Sequence, residues 1–173
     1  MKGRNVFILR LAPLEQDLTQ EALKKDEIFV GWKEVKGLLE EGLSFYAFRE
    51  RVKAAYKIEN NRLAANFARS LWWFLKEMKP GDCVVVPLRD QFYVAEVVGS
   101  PYYDESHPIA AHRRPVRWLN DKKPIPRKLA SDALKKRLNH PGTLLRTKKQ
   151  VVDILVADIE KVLEDARRGE TPI

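Results

Sequence analysis

Few residues in this sequence have the types and spacing that catalysis needs. The three histidines, His107, His112 and His140, lack the spacing of a ligand set, and a single cysteine cannot build a thiolate metal site. No metal or cofactor is expected. Gly81-Asp82 and Pro141-Gly142 are turn pairs, and no phosphate loop or dinucleotide fingerprint occurs. Cys83 opens a Val-rich run and reads as a small buried hydrophobe rather than a nucleophile. Glu96 shares one face of a strand-like segment with Phe92, Val94 and Val98. It either faces solvent or fixes a ligand. Trp73 falls in register with Arg62, Asn66, Arg69 and Lys76, on the polar side of a helical pattern. It either packs under a loop or presents its indole at a binding surface.

Charge is more informative than nucleophiles. The net charge is +8, and residues 113–149 hold thirteen Lys and Arg against two acids, a local +11 that leaves the remainder slightly acidic. Basic excess confined to one segment points to a polyanion-facing surface. Arg113, Arg114, Arg117, Lys122, Lys123, Arg127 and Lys128 are the candidate phosphate contacts. The plainer alternative is a solvated, Lys-rich face.

Local elements must position these groups. Asn5 to Leu11 and Glu27 to Gly31 read as strands, the second ending at Trp32. Residues 33–41 read as helical, and Ser44 can cap a helix through Tyr56. Asn61 to Met78 is the clearest helix, with Leu63, Phe67, Leu71, Phe74 and Met78 on one face. Lys79-Pro80-Gly81-Asp82 breaks it. Cys83 to Pro87 and Phe92 to Gly99 then form a hairpin, and Arg113 to Leu119 a basic strand. Pro126 suits the first turn of a helix to about Leu138, and Val151 to about Arg168 is amphipathic. The expected fold is α+β: a small, mixed, curled sheet or partial barrel of five to six strands surrounded by helices. The expected division is a recognition domain over 1–147 and an amphipathic C-terminal helix over 148–173, packed on that domain or extending from it. No apolar run approaches the ~20 residues of a membrane span, no signal peptide is visible, and one cysteine agrees with a reducing cytoplasm.

Three stretches resemble the PUA-like superfamily, and within it the EVE and YTH domains. Val30-Gly31-Trp32 looks like the strand that ends at a pocket tryptophan. Arg62 to Ser70, leading through Met78-Lys79-Pro80-Gly81-Asp82 into a Val-rich strand, is similar to the EVE helix-turn-strand. Ala95-Glu96-Val97-Val98, a loop and Pro115-Val116-Arg117-Trp118, followed by Lys123-Pro124-Ile125-Pro126, resemble the strands that frame the YTH pocket. The likeness covers about residues 5–147.

The resemblance implies a reader of modified bases, holding a flipped or unpaired base in an aromatic cage beside a basic surface. It matches Trp32 to the first cage tryptophan and Asn66 and Arg69 to polar positions near the pocket. Trp118 follows the bordering strand. Where YTH domains carry a second cage tryptophan, this sequence offers Tyr102 and Tyr103. With Trp73 and Glu96 these make the expected base pocket. The expected ligand is nucleic acid, DNA before RNA, with cutting supplied by a nuclease or NTPase partner or fused domain. An enzyme of the ASCH type, which resembles the same fold, is the alternative. It would need a lysine, a threonine and a glutamate converging in the pocket, with Glu96 the candidate acid.

Overall fold

In the computed structural model, which describes residues 4–169, eight strands and five α-helices alternate. The strands are β1 (Val6–Leu9), β2 (Glu27–Val30), β3 (Cys83–Leu88), β4 (Gln91–Val97), β5 (Tyr102–Tyr103), β6 (His112–Trp118), β7 (Ile125–Pro126) and β8 (Leu144–Arg146). The helices are α1 (Thr19–Lys25), α2 (Phe45–Ala55), α3 (Asn61–Trp72), α4 (Asp132–Leu138) and α5 (Lys149–Gly169). The main sheet runs β2-β6-β4-β3-β1-β8 and curls into a half-barrel, with β5 added on β6 and β7 on β4. Only the β1–β3 pair is parallel.

β1 and β3 are apolar throughout, and β4 nearly so, because both faces of the sheet are covered there. Successive side chains point to opposite faces. Phe7, Leu9, Val84, Val86, Tyr93 and Ala95 pack under α1, α2 and α3. Val6, Ile8, Cys83, Val85, Phe92 and Val94 pack under α4 and α5. The stripe Val152, Leu155, Val156, Ile159 and Val162 of α5 is buried in that second core. The helix expected at 148–173 therefore completes the sheet rather than extending from it, and residues 170–173 lie outside the described ones.

One expected helix is replaced by turns and another starts later than expected. Residues 33–41 form turns, because Gly37 and Gly42 take φ of 76° and 73°, conformations that end a right-handed helix. The helix expected from Pro126 starts at Asp132. Pro126 pairs with Gln91 in β7, and Ser131 caps α4 by accepting from the Leu134 amide at 3.1 Å. The long helix over 61–78 ends in a widened turn, where the Met78 amide donates to the Trp73 carbonyl five residues back at 2.8 Å. Phe74, Leu75 and Met78 reach the core, while Leu63 at its start stays 45% exposed.

Candidate nucleic-acid interface

Trp32 sits where β2 leaves the sheet. Its φ of 57° is left-handed, a conformation a bulky residue adopts only when neighbours hold it. Those neighbours are identifiable. The Trp32 carbonyl accepts from the Val35 amide at 3.2 Å and from His112 Nε2–H at 3.1 Å. The Tyr103 hydroxyl donates to the Lys33 carbonyl at 2.7 Å, and the Glu34 amide donates to the Tyr56 hydroxyl at 3.3 Å. Tyr103 also stands edge-on to His112, with ring centroids 5.2 Å apart.

The braced indole forms one wall of a cleft of about 380 Å³. Phe67 lies 6.2 Å away, centroid to centroid, and Tyr56, Ile109 and Leu14 add apolar surface. Lys33, Glu34, Arg10 and Thr143 supply polar groups at its edges. The volume is at the small end of ligand sites, which run from about 300 to 1,000 Å³. Leu14 is 84% exposed with φ of 52°, so an apolar side chain stands at the mouth.

Of the expected cage, Trp32 alone lines this cleft. Tyr103 braces the 32–35 turn from behind, and Tyr102 donates its hydroxyl to Glu27. Burial and that carboxylate push the Tyr102 phenol up to about 12. Asn66 and Arg69 are exposed on α3 and bond each other at 3.3 Å. Trp118 is a core residue at 6% exposure, donating its indole N–H to the Ala22 carbonyl at 3.0 Å. Glu96 lies elsewhere on the sheet, gripped by Arg117 at 3.0 Å and Arg4 at 3.4 Å. Trp73 borders a different groove. Tyr56, Phe67, Leu14, Ile109 and Arg10 escaped the sequence reading. The helical period assigned Phe67 to the core, and no local pattern marks the others.

The expected phosphate contacts need a larger correction. Arg113 is 1% exposed: it bonds Glu27 at 2.8 Å, Glu21 at 3.2 Å and the Ala110 carbonyl at 3.0 Å, and lies over the Phe29 ring at 4.5 Å. Burial works to raise the Glu21 carboxyl, but hydrogen bonds from Lys25 and His107 and the Arg113 charge outweigh it and leave it below its usual value. Arg114 is 2% exposed and donates to the carbonyls of Phe74, Met78 and Gly99 at 2.9, 2.7 and 3.0 Å. Burial drags its guanidinium down to about 10. The reason is tertiary: at this end of β6, α1 and β2 supply carboxylates to Arg113 and the end of the long helix supplies carbonyls to Arg114, whereas Arg117, further along the strand, stays exposed beside Glu96. Lys122 is tied to Asp26 at 2.9 Å and Arg127 to Asn139 at 2.7 Å; Lys122, Lys123 and Lys128 are all exposed.

Exposed charge gathers instead around the Arg146–Lys149 segment. A groove of about 760 Å³ is bordered by Arg4, Trp73, Arg146, Lys148, Lys149 and Asp153. A second, of about 450 Å³, is bordered by Lys136, Arg137, His140, Arg146 and Lys148. Together they hold six Lys and Arg and one acid. Among the described residues no group of His, Cys, Asp and Glu could hold a metal ion, and no helix is long and apolar enough to cross a membrane.

Residues 9–139 match the family model of a domain of unknown function, DUF8426. The chain belongs to this family. No curated protein matches it. The DUF8426 segment contains Arg10, Leu14, Trp32, Tyr56, Phe67 and Ile109 of the cleft, whereas Arg146, Lys148 and Lys149 lie beyond it.

His112 gives this DUF8426 domain a pH-dependent brace. Burial lowers its pKa below 6.5, against hydrogen bonds to backbone at Trp32 and Val35 that work the other way. The folded state therefore holds it neutral, and the unfolded state takes up a proton below about pH 6.5. Its contribution to stability is complete above that pH and falls as acidification proceeds towards the folded-state pKa. Urea-denaturation midpoints should decline from pH 7.5 to 5, and the decline should flatten in His112→Gln. An equally steep decline in the variant would place the sensitivity elsewhere.

Proposed function

We propose that this chain is a nucleic-acid recognition domain that takes one unpaired or flipped base, in modified form, into the Trp32 cleft. DNA is the favoured ligand. The supporting observation is the cleft itself: Trp32, on a backbone-braced turn, and Phe67, its ring tilted by 48° to the indole, line it together with Tyr56 and Arg10. Aromatic walls stack a base at about 1–3 kcal/mol, and methyl groups on the base add apolar contact. Extruding a base costs a few kcal/mol, which stacking and phosphate contacts must offset. A nuclease or NTPase partner or fused domain would supply cutting.

Fluorescence anisotropy tests this with matched DNA and RNA oligonucleotides, each unmodified, with methylated adenine, and with methylated or hydroxymethylated cytosine. Tighter binding of one modified DNA supports the reading. A preference for RNA would move it to a 2′-hydroxyl-dependent reader. Identical affinity for every base would remove the pocket.

One observation favours a second reading. Lys33, Glu34 and Thr143 border the same cleft, which are the residue types an ASCH-type amidohydrolase uses. In that role Glu34 replaces Glu96. Incubation with an acylated nucleoside should then yield free nucleoside and the carboxylic acid, and Lys33→Ala should abolish the release. No release at high protein concentration excludes it.

A further inference from the structure

The groove between Trp73 and the Arg146–Lys149 segment has no part in the base cleft. The two sites lie at opposite ends of the β1–β8 pair. Arg10 and Thr143, bonded at 2.9 Å from amide to carbonyl, border the cleft. Asn5 and Arg146 border the groove. Asn5 to Arg10 is roughly 17 Å of extended chain, at about 3.3 Å per residue.

The groove is built rather than incidental. Thr147 is buried, and both its amide and its hydroxyl donate to the Val6 carbonyl, at 3.1 and 2.9 Å. That anchor fixes the backbone between Arg146 and Lys148, which border both basic grooves. Trp73 forms the opposite side, half-buried against the core and unbonded at its indole nitrogen among the described residues. Arg146 pairs with Glu77 and Arg4 with Glu96, each at 3.4 Å, so Lys148 and Lys149 carry the exposed charge, and Asp153 is the one acid bordering either groove among the described residues.

A groove lined by a flat aromatic and several cations fits a nucleic-acid strand better than an acidic peptide. The cations meet phosphates while the ring stacks a base of any identity. A membrane would need an apolar face, and this groove has Trp73 and Val152 amid charge. We infer that the Trp73–Lys148–Lys149 groove binds the sugar-phosphate backbone and one stacked base of the strand whose target base occupies the Trp32 cleft. This rests on the nucleic-acid reading above. A strand stacked as in a duplex rises about 3.4 Å per nucleotide, so up to roughly five nucleotides separate the two sites, fewer if the strand is extended, and the two steps of a trinucleotide are too short to occupy both.

The test compares a single-stranded dodecamer with a trinucleotide carrying the same target base, on wild type and Lys148→Ala/Lys149→Ala. For the dodecamer, the slope of log affinity against log salt should flatten by about 1.4, from two lost contacts at about 0.7 each. Trinucleotide affinity should not change. Trp73→Leu should weaken the dodecamer about 5-fold or more, and Trp73→Tyr, which can stack, should restore most of it. Circular dichroism confirms that each variant folds. An unchanged slope in the double variant overturns the groove, even where Trp32-dependent base preference persists. A flattened slope without any base preference in wild type upholds the groove and overturns the base reading instead. Equal competition by poly-glutamate of matched charge would overturn the nucleic-acid assignment of the groove.

Discussion

Trp32→Ala should erase discrimination between the preferred modified base and its unmodified counterpart. It should also weaken binding of the preferred oligonucleotide by about 5- to 140-fold, the equivalent of about 1–3 kcal/mol of lost stacking. The reasoning is local. Trp32 contributes a partly buried wall to the cleft, beside Phe67, while His112, Tyr103 and Tyr56 hold the surrounding turn through its backbone. Removing the side chain leaves those backbone bonds in place but also deletes packing against the core, so the denaturation midpoint should fall as well. Binding is therefore compared under conditions where circular dichroism shows both proteins fully folded. Trp32→Phe keeps a ring and should retain part of the preference. Anisotropy titrations of the three proteins decide it. Undiminished discrimination in Trp32→Ala would show that the cleft is not where the base goes.

Arg114→Ala should lower stability by about 3 kcal/mol without altering base preference. Three carbonyls, of Phe74, Met78 and Gly99, would lose their donor inside the protein. Each orphaned buried acceptor costs about 1–3 kcal/mol, partly offset because the guanidinium no longer has to be desolvated. Domains of this size hold only about 5–15 kcal/mol in total, so the loss is large. Lysine should not rescue it, because an ammonium cannot reproduce a planar fork across three acceptors. Urea denaturation measures the effect. A wild-type midpoint combined with a flattened salt dependence of binding would mean that Arg114 reaches phosphate after all.

Both expectations depart from a count of charges along the chain. Arg113 and Arg114 head the most basic segment of the sequence, yet they are the least exposed of its cations. Charge adds up residue by residue, whereas burial depends on which elements pack against β6. The segment's own later residues, Arg146, Lys148 and Lys149, present the charge, together with Arg4 from the other end of the chain. Local pattern marks the end of β2 at Gly31-Trp32; the resemblance alone singles out Trp32 as a cage residue, and the fold places it in the wall of a cleft. Tyr102 and Tyr103 were placed in the right neighbourhood, but β5 turns them towards Glu27 and the Lys33 carbonyl. Residues 33–41 misled because their apolar spacing suits a helix, while Gly37 and Gly42 take the backbone out of it.

The sequence by itself determined the elements whose signal is local. Uninterrupted apolar runs made β1, β3 and β4 strands with both faces covered, and a 3.6-residue period made α3 and α5. Turn residues at 79–82 separated helix from hairpin. Those elements suffice for a curled α+β sheet between two helical layers. Tertiary structure alone decided which cations are structural and which side chains meet. The cleft draws Arg10, Trp32, Tyr56, Phe67, Ile109 and Thr143 from six segments spread over most of the chain. Their convergence depends on strand register and on the path of loops between strands, and neither is encoded in the spacing of neighbouring residues.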